Sequence, residues 1–250
     1  MRPNTIVSII TPNFNSNYHL AKTISSIQKQ TFKDYEHIII DDCSTKPISD
    51  DILEIIYQDP KIKLLKRTWN AGPAVTRNRG ISEAKGKYIA FLDADDIWLP
   101  EKLEKQVAFM EETQCPLSYT HYDVVDENAN YIGNRKSPKE LSYEDLIKVN
   151  RIGCLTAMYN TEICGKQYMP NILKRQDYGL WLKITKKFGP AQGVNEVLAT
   201  YTSSPNSLSG NKLKVLKYQW RLYREIEGLS LVKSLYCLSN HALNGIFRKA

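Results

Sequence analysis

The chain lacks the sequence features of membrane-spanning, secreted and zinc-binding proteins. No stretch approaches the roughly 18 uninterrupted apolar residues of a transmembrane helix. The N-terminus runs into a short apolar strand rather than the hydrophobic region of a signal peptide. The five cysteines are scattered and include no Cys-x-x-Cys pair, which fits a reducing compartment. We therefore expect a cytoplasmic protein that does not cross a membrane.

Excess charge is also missing from most of the chain. Of the net charge of +7, six units come from residues 211–250, where eight basic residues stand against two acidic ones. A protein that binds nucleic acid over a broad surface would carry positive charge on its body. We therefore expect no nucleic-acid partner, and a local contact between the tail and an anionic surface.

Apolar strands alternate with helical patterns over the first 115 residues. This alternation, with short connections, predicts an α/β fold in which a mostly parallel, Rossmann-like sheet carries helices on both faces. The predicted strands are Val7–Thr11, His37–Asp41, Ile62–Leu65 and Lys87–Leu92, and the predicted helices are Leu20–Gln30, Ile48–Tyr57 and Pro73–Ala84. The pattern over residues 116–205 is mixed, with strands at Leu117–Val125 and Tyr131–Gly133 and helices at Tyr143–Val149 and Asp177–Phe188. A Ser-, Pro- and Asn-rich segment at 203–207 then separates a domain of residues 1–205 from a basic, amphipathic helical tail at 206–250.

Polar residues follow three of the predicted strands. These segments are Thr11–Asn15, Asp41–Ser44 and Asp93–Asp96. Ligands of open α/β sheets bind beyond the carboxyl ends of the strands, so we expect the three segments to converge on one site.

The acidic segment Asp93-Ala94-Asp95-Asp96 is a candidate metal site. Alternation along an extended chain places Asp93 and Asp95 on the same side. Two facing carboxylates need a cation or a proton to offset their repulsion, and oxygen-only ligands suit Mg²⁺ or Mn²⁺ that carries phosphate oxygens. The alternative is a loop in which an aspartate caps the helix that begins near Pro100.

The motifs Val7–Asn15, Ile40–Ser44, Asn70–Pro73 with Arg77–Gly80, and Phe91–Asp96 together resemble glycosyltransferase family 2, a family of inverting enzymes with the GT-A fold. The resemblance covers residues 6 to about 200 and implies a UDP-sugar donor held with Mn²⁺ or Mg²⁺. It assigns residues 1–115 to nucleotide binding and residues 116–205 to the acceptor. It implies metal binding by Asp93 and Asp95, and nucleotide contacts by Thr11, Pro12, Asp41, Asp42, Arg77, Asp93 and Ala94.

The segment Arg175–Leu182 resembles the Glu-Asp-x-x-Leu-Trp motif of the same family, with Asp177 in the place of the catalytic base. Gln176 stands where a second acid is frequent, which leaves one clear base candidate. A carboxylate near the acceptor hydroxyl would take its proton as it attacks the sugar. The structural alternative is an acid that stabilises a helix N-terminus. Trp181 is either an acceptor-sugar platform or part of the core.

Lys174 and Arg175 are candidate ligands for a phosphate on the acceptor. With Ile152–Thr156 and Tyr218–Arg221, this region resembles bacterial family 2 enzymes that build O-antigen or capsule repeat units. That resemblance implies a saccharide acceptor linked through diphosphate to a polyprenyl lipid. The basic tail would then bind the anionic inner face of the cell membrane, making the protein peripheral there. The alternative is a helical pair packed on the domain.

The expected reaction is transfer of a hexose from a UDP-sugar to a hydroxyl, with inversion. A sugar-nucleotide nucleotidyltransferase would share metal and nucleotide, but such enzymes usually carry a glycine-rich, basic loop after the first strand, and Thr11–Asn15 contains neither glycine nor a cation. A noncatalytic nucleotide-sugar or basic-tail binding protein is the other alternative, against which the intact carboxylates argue.

Overall fold

The computed structural model describes residues 6–203 and 212–247. Ten strands form one sheet: β1 (Val7–Asn13), β2 (Tyr35–Asp41), β3 (Ile62–Lys66), β4 (Tyr88–Phe91), β5 (Ile97–Trp98), β6 (Leu117–Val125), β7 (Tyr131–Arg135), β8 (Glu140–Leu141), β9 (Met158–Asn160) and β10 (Ala191–Thr202). The helices are α1 (Asn17–Gln28), α2 (Asp50–Gln58), α3 (Pro73–Glu83), α4 (Lys102–Thr113), α5 (Tyr143–Leu146), α6 (Thr161–Cys164), α7 (Gln176–Phe188), α8 (Lys212–Arg221) and α9 (Leu231–Phe247). A 3₁₀ turn at Cys154–Thr156 and a π-helical turn at Leu222–Ile226 complete the elements.

The sheet order is β3-β2-β1-β4-β9-β6-β10-β5, with β7 beside β6 and β8 beside β10. Parallel pairing joins β3, β2, β1 and β4, and also joins β6 to β10. The short strands pair antiparallel. The predicted fold class, a mostly parallel α/β sheet with helices, is confirmed, and the carboxyl ends of β1 and β4 lie side by side as the motifs require.

Close approach of α3 to the sheet positions the helix that carries Arg77. A Cβ on Gly80 would lie 2.5 Å from Ile10 Cγ2 and 2.9 Å from Ile40 Cδ1, so only glycine permits this contact without a shift. The neighbouring positions on β1 and β2 are fully buried aliphatic residues. Packing of Gly80 against the sheet therefore helps to position α3, whose residues Pro73 and Arg77 line the cavity described below.

Strand β10, the longest strand of the described residues, was not predicted from the sequence. It pairs in parallel with β6, but the register shifts between Val194 and Val197 and again between Val197 and Ala199. The exposed Asn195 and Glu196 lie in this irregular stretch. Bulges break the alternation by which a strand is recognised, and here they hid one.

The helices after residue 211 pack on the rest of the protein through part of their surface. Leu222, Tyr223, Leu229 and Cys237 belong to the same buried cluster as Phe91. The Tyr223 hydroxyl donates to the Ile147 carbonyl at 2.8 Å. The described helices include none with the length and apolar character needed to cross a bilayer.

Candidate active site

A cavity of about 590 Å³ lies at the carboxyl ends of β1 and β4. We call it the donor-side cavity. Its lining joins the three polar segments predicted to converge. Predicted site residues on its wall are Pro12, Asp42, Arg77, Asp93, Ala94 and Asp95. Sequence reasoning therefore identified much of this wall from motifs that are up to 83 positions apart in the chain.

Asp42 fastens the loop that covers one side of this cavity. Its carboxylate accepts hydrogen bonds from the backbone N–H groups of Ala71, at 3.1 Å, and Gly72, at 2.8 Å. It also pairs with Arg67, whose Nε lies 3.1 Å from Oδ1. Gly72 has φ of +84°, a conformation that favours glycine. Asp42 thus holds residues 67–72 in place beside the donor-side cavity.

Thr11 and Asp41 lie behind the cavity wall. Asp41 accepts hydrogen bonds from Asn13 Nδ2 at 2.7 Å and Ser44 Oγ at 2.6 Å. The Thr11 hydroxyl bonds His37 Nε2 at 2.9 Å, and burial lowers the pKa of His37 to about 3, so the imidazole is neutral. Neither Thr11 nor Asp41 is among the residues that line the donor-side cavity. In this structure both support the strand ends, and their contacts with a nucleotide stay predictions.

Three aspartates follow β4, and their environments differ. Asp93 pairs with Arg77 Nη2 at 2.5 Å. Burial, and then the charge of Asp93, raises the pKa of Asp95 above its ordinary value. Burial raises the pKa of Asp96 much further, and its carboxylate accepts a hydrogen bond from the Thr202 N–H at 3.1 Å. Asp96 therefore ties β10 to the acidic segment, whereas Asp93 and Asp95 line the cavity.

The donor set fits a hard divalent cation that keeps other ligands. Within the described ranges no group of three or more His, Cys, Asp or Glu side chains could enclose a metal ion. Two carboxylates of the acidic segment, Asp93 and Asp95, line the donor-side cavity. Mg²⁺ is commonly bound through one or two carboxylates, with water and phosphate oxygens completing its shell. At such a site, water or the phosphate oxygens of a bound ligand would supply the remaining ligands.

A second cavity, of about 260 Å³, lies at the N-terminus of α7. We call it the base-side cavity. The predicted acceptor-side residues Lys174, Arg175 and Asp177 line it together. Cys154 also lines it, and burial raises the pKa of its thiol well above the ordinary value, so the thiol stays protonated. The cavity combines a carboxylate and basic groups with the apolar walls of Leu155, Leu173 and Val215.

The two cavities share one wall. Five residues line both of them: Pro73, Arg77, Asp93, Leu173 and Tyr201. Burial alone would lower the pKa of Arg77, but Asp93, with a smaller contribution from Asp177, raises it above the ordinary value. A bond between a group in one cavity and a group in the other would therefore form beside this buried cation.

Trp181 corrects one expectation. Its side chain has no exposed surface and packs edge-on to Phe91, with ring centroids 5.8 Å apart. Trp181 lies one turn after Asp177 on the same face of α7. Asp177 in the first turn lines the cavity, whereas Trp181, one turn further along, is buried in the core. In this structure Trp181 is a core residue that lines neither cavity, which favours the core alternative.

Sequence reasoning also missed residues that complete the site. Leu173 and Tyr201 line the shared wall, and Tyr122 and Cys154 line the base-side cavity. Tyr201 lies near the carboxyl end of β10, so recognising that strand would have placed it beside the other strand ends. Leu173, an apolar residue in a polar loop, carried no such pattern.

Known proteins share sequence with this chain over most of its length. The profile described as "Glycosyl transferase family 2" matches residues 8–166. A relative from Bacillus subtilis, "Putative teichuronic acid biosynthesis glycosyltransferase TuaG", is 40% identical over 245 residues, which cover 98% of this chain and 97% of that protein. The Escherichia coli protein "UDP-Glc:alpha-D-GlcNAc-diphosphoundecaprenol beta-1,3-glucosyltransferase WfgD" is 34% identical over 98% of this chain and 95% of its own.

Solved structures share the fold. S. aureus TarS 1–349 in complex with UDP superposes with a TM-score of 0.68 at 20% identity, covering 93% of this chain and 69% of that one. The mannosyltransferase PcManGT from Pyrobaculum calidifontis, in complex with GDP-Man and Mn²⁺, gives a TM-score of 0.70 at 14% identity, covering 95% and 70%. At such identities the likeness concerns the fold, whereas the profile and the full-length relatives establish membership. This chain belongs to glycosyltransferase family 2.

Proposed function

We propose that the protein transfers a hexose from a UDP-sugar to a hydroxyl of a saccharide linked through diphosphate to a polyprenyl lipid, with inversion, in the synthesis of a bacterial surface polysaccharide. The observation that carries this proposal is the wall shared by the two cavities. It brings the candidate base Asp177 and the candidate metal ligand Asp93 to one junction. The names of the relatives support the acceptor class, since WfgD acts on GlcNAc-diphosphoundecaprenol.

The proposed chemistry is a single displacement. Asp177 takes the proton of the acceptor hydroxyl while the hydroxyl oxygen forms a bond to the anomeric carbon. The bond from that carbon to the diphosphate oxygen breaks, and its electron pair leaves with UDP. Attack from the base-side cavity, opposite a donor that lies in the donor-side cavity, inverts the anomeric configuration.

Asp95 is the better candidate for the direct metal ligand, because Asp93 already shares its charge with Arg77. A bound Mn²⁺ or Mg²⁺ would offset the negative charge that develops on the departing diphosphate. Asp42, Pro12 and Ala94 would hold the nucleoside from the opposite wall of the donor-side cavity.

Lys174 and Arg175 would bind a phosphate of the acceptor. Both line the base-side cavity within three positions of Asp177. Guanidinium and ammonium groups that recognise phosphate beside a general base would orient the acceptor sugar toward the donor. This arrangement favours a charged, lipid-linked acceptor over a free neutral sugar.

The acceptor class implies a site at the inner face of the cell membrane. Four large side chains on one side of α9 are exposed: Leu231, Val232, Leu235 and Tyr236. Residues 212–247 hold six basic and two acidic residues. Apolar burial and attraction to anionic lipid reinforce each other in interfacial helices. We expect replacement of these four residues by serine to reduce partitioning onto anionic vesicles, and unchanged partitioning would contradict the membrane contact.

The decisive experiment is a donor screen scored by release of UDP, with a GlcNAc-diphosphate-lipid analogue as acceptor. Asp177→Asn should lower transfer by about 10²–10⁴-fold, because the positioned base is lost, while the affinity for UDP is unchanged. Asp50→Asn, an exposed aspartate in the first turn of α2, is the matched control. Full turnover by Asp177→Asn would eliminate the proposed base.

Two other outcomes would reassign the function. Release of pyrophosphate from a nucleoside triphosphate and a sugar phosphate would identify a nucleotidyltransferase. Binding of nucleotide sugars without turnover of any of them would favour a noncatalytic binding protein.

A further inference from the structure

Three elements that follow the main sheet in sequence line the base-side cavity or contact the residues that form it. Val215 of α8 lines it, Leu222 of the π-helical turn packs against the first turns of α7, and His241 of α9 bonds Arg175. We propose that these C-terminal helices complete the acceptor half of the active site, and that His241 is a positioning residue for Arg175. The inference rests on the proposed function, because it takes the base-side cavity as the place where the acceptor binds.

The contact between His241 and Arg175 fixes the orientation of the guanidinium. Arg175 Nη2 lies 3.0 Å from His241 Nε2. Arginine only donates hydrogen bonds, so His241 Nε2 must accept, and the imidazole must be neutral with its proton on Nδ1. One donor of Arg175 is thereby held by α9, while its buried Nε has no hydrogen-bond partner among the described residues. Arg175 lines the cavity, so an anionic group bound there could accept from it.

The backbone of Arg175 also needs external support. Its φ is +69° and ψ is 15°, the left-handed conformation that non-glycine residues adopt at a cost. Strained conformations persist when surrounding contacts determine them, and they concentrate at binding sites. Here the side chain is held by α9, while the following residues begin α7 and lead directly to Asp177. Loss of the α9 contact would therefore loosen the residue that precedes the helix of the base.

The π-helical turn holds the same helix from a second side. A Cβ on Gly179 would lie 2.5 Å from Pro170 Cγ and 3.1 Å from Leu222 Cδ1. Gly179 stands two positions after Asp177. Because glycine has no side chain, the π-helical turn can approach α7 closely at this position. Hydrogen bonds fasten this region, including one from the Tyr143 hydroxyl to Glu227 at 2.8 Å. α7, which carries the proposed base, therefore packs between Pro170 on one side and Leu222 of the π-helical turn on the other.

The contribution is confined to one cavity. The donor-side cavity is lined, over the described part of the chain, by residues between Pro12 and Tyr201. Of the residues after 211, Val215 lines only the base-side cavity. A perturbation of α9 should consequently change acceptor binding and leave donor binding unchanged.

The test compares His241→Ala with His241→Gln, whose side-chain oxygen can still accept from Arg175. A hydrogen bond to a charged group, when lost, corresponds to a change of about tenfold or more. We expect His241→Ala to raise the acceptor KM by that factor, with donor KM and UDP affinity within about twofold, and His241→Gln to restore most of the loss. Ser239→Ala, an exposed residue of the same helix, is the control.

A double-mutant cycle separates positioning from general destabilisation. In an Arg175→Ala background, His241→Ala should have no further effect on the acceptor KM, because the group that it positions is gone. Equal losses in donor and acceptor KM, an unchanged acceptor KM, additive effects in the cycle, or no rescue by glutamine would each overturn the inference.

The dissociation constant of a GlcNAc-diphosphate-lipid analogue, measured by calorimetry without turnover, keeps this inference distinct from the proposed function. A wild-type protein that binds the analogue but transfers no sugar would refute the proposed function. The His241→Ala effect on that dissociation constant would still decide the role of His241. A wild-type protein that does not bind the analogue would overturn the inference as well.

Discussion

Lys102 is a buried cation that the proposed reaction does not use. It is the first residue of α4, its side chain has no exposed surface, and its Nζ lies 3.6 Å from the centroid of the Trp98 ring. Within the described residues its Nζ has no hydrogen-bond partner. Burial lowers the pKa of Lys102 well below its ordinary value. We predict that Lys102→Met stabilises the protein.

The expected gain in stability follows from two unfavourable effects of the buried cation and one favourable effect. Removing an unpaired ammonium from water costs several kcal/mol, and the positive end of the α4 dipole adds about 0.3–1 kcal/mol. A desolvated cation–π contact returns only about 2 kcal/mol. Methionine fills a similar volume without charge, so the free energy of unfolding should rise by about 2 kcal/mol at pH 7, within a range of about 1–4 kcal/mol. For a chain of this length, about 2 kcal/mol corresponds to a rise in Tm of about 4–8 °C.

The pH dependence of the stability gain provides a second test of its cause. Because the folded pKa of Lys102 is lowered, the unfolded chain binds a proton that the folded chain lacks at pH values between the two pKa values. The penalty is full at low pH and disappears as the pH rises past about 10.4, the unfolded value. The difference in Tm between Lys102→Met and wild type should therefore shrink as the pH is raised from 6 to 9.5 in thermal melts.

A surface lysine provides the control for that experiment. Lys105 pairs with Glu101 and Glu196 at the surface, so Lys105→Met should bring no comparable rise in Tm. A Lys102→Met variant that melts below wild type, or a Tm difference that does not change with pH, would refute the reasoning. Transfer activity should not change, since Lys102 lines neither cavity.

Three further predictions concern the core and the metal. Trp181→Ala should lower the free energy of unfolding in urea by about 3–5 kcal/mol without raising the acceptor KM of the folded fraction, and a selective rise in that KM would return Trp181 to the acceptor site. Gly80→Ala should cost about 1–3 kcal/mol by overpacking against Ile10, whereas Gly133→Ala, whose Cβ would meet nothing within 4 Å, should cost less by the same urea measurement. Asp95→Ala should raise the Mn²⁺ concentration needed for half-maximal transfer, and an unchanged requirement would exclude Asp95 as the metal ligand.

Local patterns were enough to predict the fold of residues 1–115, the proposed nucleotide-binding half. Its strands are short, β-branched and buried on both faces, and polar motifs follow them directly, so topology alone brings Pro12, Asp42 and Asp93 to one edge. The fold of residues 116–205, the proposed acceptor half, was predicted less completely. Its strand β10 is interrupted by bulges, and its cavity depends on contacts between α7 and helices that follow it by more than 30 positions.

The hydrogen-bond partners of individual side chains could not be predicted from the sequence motifs. Asp41 and Asp42 are adjacent in a motif, yet Asp41 bonds Asn13 and Ser44 behind the wall, while Asp42 lines the cavity and holds the loop at Gly72. Which of two neighbouring carboxylates faces a cavity depends on strand twist and on the conformation of a distant loop. Neither is encoded in the spacing of the motif.

Arg77 links the two halves of the site electrostatically. A buried guanidinium is tolerated only with a nearby anion, and Arg77 has Asp93 at 2.5 Å, with Asp177 adding a smaller attraction. Removal of Asp93 would leave that cation uncompensated on the wall shared by both cavities, whereas removal of Asp95 would affect the donor-side cavity alone. Loss of Asp93 should therefore impair donor and acceptor binding together. The first aspartate of the acidic segment thus holds the cation that joins the two cavities, in addition to its proposed role toward the metal.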